Sequence, residues 1–332
     1  MPFINAIKEF HSVSIVGMAK NTGKTTCLNY AVRRLREEGC TIALTSIGVD
    51  GEERDVLYDT PKPRIMLHEG VVFVTSERDF EQREFPAERL SVSQRSTPLG
   101  RLITARAKGS GKVVLSGPSD SAWLREVIRA MPPYGVELTL VDGALSRMSL
   151  ASPAVTDAMI LSTGAACCAQ LPELIRRTQF RCTLINLPCV SSYLYDLLSP
   201  FDSGIWLLSE GQDKIEKVAD TVFTLGVDEK RVISRHSSIY VAGAVTDGFL
   251  KMLEGVRLIV SDFSKLFFSA LTYNRFVRKG GCIEVLQKPR LLAVCTNPVS
   301  PEGAHIDPLR LKERMEEALH VPVYDIMMIE NK

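Results

Sequence analysis

Apolar and polar positions follow two alternating patterns along the chain. SVSIVG at 12–17 is a short β-type run, and from Lys24 to Glu38 the apolar positions Leu28, Ala31, Val32 and Leu35 recur at helical spacing. Gly39 ends that predicted helix, and a second β-type run, TIALTSI at 41–47, follows at once. The opening is therefore a strand, loop, helix, strand unit with an expected right-handed crossover. Residues 51–112 break the alternation. Charges crowd 52–55 and 77–89, and the runs VVFVTS at 71–76 and RLITAR at 101–106 lie among them, which predicts an inserted β-rich meander or lid. Alternation resumes with KVVLSG at 112–117, a helix from about Ser121 to Met131 closed by Pro132-Pro133, and VELTLVDGA at 136–144. A strand AMILSTG at 158–164, a helix over CAQLPELIRRTQF and a strand RCTLINL at 181–187 complete the first half. The prediction is an α/β fold with a mostly parallel sheet between helical layers.

That pattern places a first domain at 1–188, with 51–112 inserted, and a smaller C-terminal α/β domain at 189–332. The second half offers GIWLL, a helix beginning near Gln212, SSIYVAGA, TDGFLKML, VRLIVSD, RLLAVCTNP and a closing helix at 308–319 before VPVYDIM. It has no Gly-rich loop of its own, and neither repeats nor low-complexity tracts occur.

Composition narrows the function classes. The 332 residues carry 40 Lys plus Arg against 39 Asp plus Glu, a net charge of +1, which removes the overall electrostatic case for nucleic acid or a membrane surface as partner. No apolar run approaches the roughly 20 residues that a bilayer requires, and Met1 to Phe10 lacks a basic region followed by an apolar segment, so the expected location is cytoplasmic. The eight cysteines form no C-x-x-C pair and sit mostly in apolar stretches, which predicts reduced core thiols, the adjacent Cys167 and Cys168 included. The five histidines show no H-x-x-x-H or H-E-x-x-H spacing, and no G-x-S-x-G element occurs. Metal-centred and serine-nucleophile chemistry fall back accordingly.

The most informative stretch is Gly17-Met-Ala-Lys-Asn-Thr-Gly-Lys-Thr-Thr26, between the first strand and first helix, where a phosphate-binding loop belongs. Phosphate or nucleotide contacts are expected from Gly17, Lys20, Asn21, Thr22, Gly23, Lys24, Thr25 and Thr26. Lys24 neutralises charge, Thr25 offers a hydroxyl to Mg²⁺, and Thr26 is placed for the α-phosphate. The loop departs from the usual spacing: five residues, not four, separate Gly17 from Gly23, leaving Met18 at the first-glycine position. At the end of strand two, Asp50 or Glu52 is a candidate for holding Mg²⁺ or orienting water, Asp50 being favoured; a solvated Asp-Gly turn is the plainer alternative. Asp142 closes the run Leu138-Thr-Leu-Val141 before Gly143, as a Walker B carboxylate does. The expected catalytic pair is Lys24 and Asp50, and the expected metal ligands are Thr25, Asp50 and Asp142. An Asn-Lys-x-Asp guanine reader is absent, Asn186 and Asn297 being weak substitutes, so ATP is favoured over GTP. Pro61-Lys-Pro-Arg64, Thr97-Pro-Leu-Gly-Arg101 and Ser116-Gly-Pro-Ser119 are turn tracts that either touch phosphate or substrate or are simply solvated.

The KNTGKTT loop, Asp50 and the Asp142-Gly143 strand end together resemble the SIMIBI class of P-loop NTPases, which includes dethiobiotin synthetase. A longer resemblance joins both halves: GMAKNTGKTT, TSIGVDGEERD, PKPRI, VDGALSR with ASPAVTDAMILSTGA, and GAVTDGFLKML are similar to the P-loop subunit family of lysine 5,6-aminomutase reactivases. The resemblance implies an ATPase with a chaperone-like task, releasing damaged cofactor from an adenosylcobalamin-dependent aminomutase. It implies ATP and Mg²⁺ as ligands, and the aminomutase and a second reactivase subunit as partners; association with another copy of this chain stays open. No D-x-H-x-x-G cobalamin pattern occurs, so the expected action is on a holoenzyme. Two other readings stay open: a dethiobiotin-synthetase-like enzyme that activates a small-molecule carboxylate, and a non-hydrolysing nucleotide-switched binding protein.

Overall fold

A computed structural model describes residues 3–47, 54–55, 60–61, 65–143, 155–208, 215–226, 232–233 and 237–330. The chain divides into two compact units, Met1–Thr178 with Arg290–Lys332, and Gln179–Pro289.

With strands numbered in chain order, the first unit carries a nine-stranded sheet in the spatial order β20 (Val323–Tyr324), β19 (Arg290–Asn297), β11 (Ala158–Gly164), β1 (Ser12–Gly17), β10 (Leu138–Gly143), β2 (Ile42–Ser46), β6 (Val72–Ser76), β8 (Gly100–Ala107) and β7 (Ala87–Thr97). Neighbours from β20 to β6 pair in parallel, and β8 and β7 finish the sheet as an antiparallel hairpin. The central β1 is buried at every position, as a parallel strand covered on both faces must be.

The first helices are α1 (Ile4–Ile7), α2 (Lys24–Glu37), α3 (Glu77–Glu81), α4 (Ser121–Arg129), α5 (Leu171–Ile185) and α6 (Ser192–Leu198). Leu28, Ala31, Val32 and Leu35 of α2, one turn apart, pack with Val13 and Ile15 of β1, Ile160 of β11 and Cys295 of β19 in one core cluster. Each buried leucine contributes about 1.5–3 kcal/mol by leaving water, which outweighs the modest intrinsic propensity of a helix of this length. The predicted elements at 12–17, 24–38, 41–47, 158–164 and 308–319 therefore form where the periodicity places them, within two residues at each end.

Other expectations are corrected. The segment 51–112 is not a lid inserted beside the sheet, because VVFVTS and RLITAR are β6 and β8 of the main sheet. Val72, Val74 and Leu102 pack with Ala43 and Trp123, while Phe73 and Ile103 face the α2 core. The crowded charges fall on α3 and on β7, whose Glu88 and Arg89 blunt an exposed edge. Only small ribbons remain beside it, β3 (Arg54–Asp55) with β4 (Thr60–Pro61), and β5 (Ile65–Leu67) with β9 (Gly111–Val113). KVVLSG thus supplies a short ribbon strand and no member of the parallel sheet. RCTLINL is not a strand: α5 runs through to Ile185, because Leu174, Thr178, Cys182 and Ile185 repeat at helical spacing and are all buried.

The boundary at 188 and the continuous second domain at 189–332 are also corrected. RLLAVCTNP returns as β19 beside β11, and residues 290–332 belong to the first unit. The second unit is a five-stranded mixed sheet ordered β13 (Ile215–Ala219), β12 (Ile205–Leu208), β14 (Ser238–Val241), β16 (Arg257–Val260) and β18 (Cys282–Val285). β15 (Val245–Thr246) and β17 (Leu266–Phe267) pair separately. IEKVA of β13 is a strand where a helix from Gln212 was expected, since it completes the edge beside β12. No helix among the described residues is long and apolar enough to cross a membrane.

Candidate functional site

β1 ends at Gly17, and the chain crosses its carboxyl end before entering α2. Met18 N–H donates to Ser162 C=O of β11 at 2.8 Å, so Met18 prolongs the strand and the loop proper starts at Ala19. Two left-handed backbone positions turn the loop, Asn21 at φ 60° and Gly23 at φ 89°. Asn tolerates this region better than most side chains and Gly adopts it freely. Inside the turn, buried Thr22 donates its hydroxyl to Ala19 C=O at 2.9 Å. Outside it, Asn297 at the end of β19 donates its side-chain amide to Asn21 C=O, also at 2.9 Å.

Lys24 folds back over the strand end. A Cβ added to Gly17 would lie 2.6 Å from Thr22 Oγ1 and 2.8 Å from Lys24 Cδ, so a side chain at 17 would displace both. The amino terminus of α2 has no side-chain cap, its cap position being Gly23, whereas Ser76, Asp120 and Ser191 cap α3, α4 and α6. The first bond into the helix is Cys27 N–H to Gly23 C=O at 3.0 Å, and the amides before it point along the helix axis toward the loop. Half-buried Thr25 and Thr26 occupy the same turn, while Lys20 and Asn21 are exposed on the loop.

Asp142 closes β10, the strand paired with β1, in register with Ile15. Its Oδ1 is buried and has no hydrogen-bond partner among the described residues. Burial raises the carboxyl's pKa above the ordinary value, and the ammonium of Lys24 partly opposes this. Beside it, Ser46 donates its hydroxyl to Asp142 C=O at 3.3 Å. The Ser116–Ser119 tract passes so close to the end of β2 that a Cβ on Gly117 would lie 1.6 Å from Ser46 C=O. Ser116 donates its hydroxyl to buried Asp79, which also accepts from Ser76 Oγ at 2.8 Å.

The fold thus brings the whole glycine–lysine–threonine loop, Asp142, Ser116–Ser119 and Asn297 to the carboxyl ends of neighbouring parallel strands, the edge where open α/β sheets bind ligands. Asp50 and Glu52 lie outside the described residues, as do Lys62 to Arg64. Thr97–Arg101 forms the hairpin turn between β7 and β8, and Arg101 pairs with Glu77 at 3.1 Å. Asn186 belongs to the second unit, following α5. Cys167 and Cys168 are half-buried in the turn after β11 and are not core thiols; no metal-holding group of three or more His, Cys, Asp or Glu occurs among the described residues.

Sequence reasoning missed Ser46 and undervalued Asn297. Asn297 becomes legible only when β19 is laid beside β11, where Gly164 lets the strands approach until a Cβ there would meet Asn297 C=O at 2.1 Å. Chemically, an uncapped helix start and a lysine complement an anion. A threonine hydroxyl and a carboxylate oxygen without a donor among the described residues suit a hard divalent cation. No family model, curated protein or solved structure matches this chain.

Proposed function

We propose that this chain is a Mg²⁺-dependent nucleoside triphosphatase, with ATP as the favoured substrate. The observation that carries the reading is the juxtaposition of Lys24, folded over Gly17 at the end of β1, with half-buried Asp142 on the adjacent strand, whose Oδ1 is buried without a hydrogen-bond partner among the described residues. A buried carboxylate oxygen without a donor costs about 1–3 kcal/mol, a cost that binding of a cation and a triphosphate would offset.

The amides at the start of α2 would receive phosphate oxygens, and Lys24 would supply countercharge to the β- and γ-phosphates. Thr25 and Asp142 would hold Mg²⁺, which supplies charge neutralisation when bound. Thr22 and Asn297 keep the loop in its curved form, so little rearrangement is needed on binding. The resemblance to the reactivase family directs the energy of hydrolysis toward releasing damaged cofactor from an adenosylcobalamin-dependent aminomutase. A ligase of the dethiobiotin-synthetase kind is the second reading, favoured by the half-buried Ser46 hydroxyl on the same sheet edge.

Calorimetry with Mg-ATP and Mg-GTP on wild type and Lys24→Ala tests the nucleotide site. Loss of binding by roughly tenfold or more is expected in the variant, since charge-assisted contacts contribute about 1.5–3 kcal/mol. Equal affinity in a folded variant would remove the site. Turnover that rises on adding the aminomutase holoenzyme supports the reactivase, and turnover that waits for a metabolite carboxylate supports the ligase.

A further inference from the structure

A cavity of about 380 Å³ opens at the edge of the main sheet opposite the loop. Its floor is the amino-terminal ends of β1 and β10, with His11, Ser12 and Thr139, and one wall is the last turns of α4. Arg125 and Arg129 stand one helical turn apart on that wall and both line the cavity. Neither makes an ion pair or hydrogen bond with another described residue. Glu137 and Asp157 line the same cavity, yet neither closes onto an arginine. Backbone amides hold them: Glu137 Oε2 accepts from Thr41 N–H at 2.9 Å, and Asp157 Oδ2 accepts from Ser12 N–H and Oγ at 2.9 Å each. Ile128, Met131, Val136 and Val155 supply apolar surface between the charges.

Two unpaired guanidiniums and two tethered carboxylates sharing one small cavity present both signs at once. A simple anion would meet the carboxylates, and a simple cation would meet the arginines. From this we infer that the cavity is a binding site for a small zwitterion, a free amino acid with an apolar side chain. Arg125 and Arg129 would take its carboxylate, Glu137 and Asp157 its ammonium, and the four apolar residues its side chain. The volume lies at the small end of the range for ligand sites, roughly 300–1,000 Å³. The site is separate from Lys24 and Asp142 by the length of β1, about 20 Å for six residues. It therefore stands or falls independently of the nucleotide reading.

The test is saturation-transfer NMR and calorimetry on the full chain with leucine, valine and methionine at millimolar concentration. Isocaproate, which is leucine without its amine, and isoamylamine, which lacks the carboxylate, serve as matched probes. At least one amino acid is expected to bind, with the matched probes roughly tenfold weaker or more, each having lost one charge-assisted contact. Arg125→Gln with Arg129→Gln is expected to abolish binding while leaving the urea midpoint unchanged, because both side chains reach solvent. Glu137→Gln is expected to weaken the amino acid and not isocaproate. Binding of isocaproate as tight as leucine, retention of binding in the double arginine variant, or no binding by any of the three amino acids would each overturn the proposal.

Discussion

Replacing Asp142 by Asn separates stability from function at one atom. The carboxylate ends β10 with Oδ1 buried and without a donor among the described residues, and burial holds its pKa above the ordinary carboxylate range. Asn keeps the shape and removes the charge. Removing the charge from a carboxylate with one buried, unpartnered oxygen is worth about 1–3 kcal/mol, and each kcal/mol moves Tm by about 2–4 °C in a domain of this size. The metal-free Asn variant is therefore expected to melt several degrees above wild type. The pH dependence has a definite sign. Folded Asp142 binds its proton more tightly than the unfolded chain does, so wild-type stability falls as pH rises from the ordinary carboxylate value through the raised folded one. The advantage of Asn should thus be full above the raised folded pKa, and fade as pH drops toward the unfolded carboxylate pKa. Scanning calorimetry across that pH window measures it, and titration with Mg-ATP should show weakened binding in the same variant. An Asn variant less stable than wild type across the whole pH range, or an advantage independent of pH, would refute the idea of a carboxylate whose charge is opposed by burial.

Two further outcomes follow from packing. Gly117→Ala puts a methyl 1.6 Å from Ser46 C=O, backbone that has little room to retreat, so a loss of about 1–3 kcal/mol or more in urea unfolding is expected; an unchanged midpoint would show that the two segments are not in contact. Thiol labelling read by mass spectrometry should reach exposed Cys189 first and Cys282 more slowly, since partial burial and Glu284 raise the latter's pKa. Buried Cys27 and Cys295, with sulfurs 3.4 Å apart, and Cys182, pushed up to about 12, should react only after unfolding; early labelling of any of them would contradict the packing around α2 and α5.

Much of the candidate site is local, and the sequence alone exposes it. Loop, lysine and threonines are consecutive, and their place between SVSIVG and a helix with apolar residues at 28, 31, 32 and 35 needs only period counting. Asp142 at the end of an apolar run is equally local. Periodicity failed where two patterns compete. RCTLINL reads as a strand by composition, yet Thr178, Cys182 and Ile185 extend the preceding helical face, and burial of that face decided for α5. VVFVTS and RLITAR are strands under either reading, but nothing within them states whether they join the main sheet or stand apart.

What the chain order could not encode is which distant segments become neighbours. β19 enters the sheet beside β11 after more than a hundred intervening residues, and that pairing puts Asn297 against the loop carbonyl of Asn21 and Cys295 against Cys27. The same long-range packing leaves Asp142 Oδ1 without a donor among the described residues, and sets Arg125 and Arg129 across a cavity from Glu137 and Asp157. The sequence by itself determined the first strand, the helix after it and the Gly-Lys-Thr loop between them, because helical and strand periods and loop chemistry act over a few residues. Sheet order, domain boundaries and the state of each buried charge were decided by the tertiary structure, because they depend on which surfaces exclude water together.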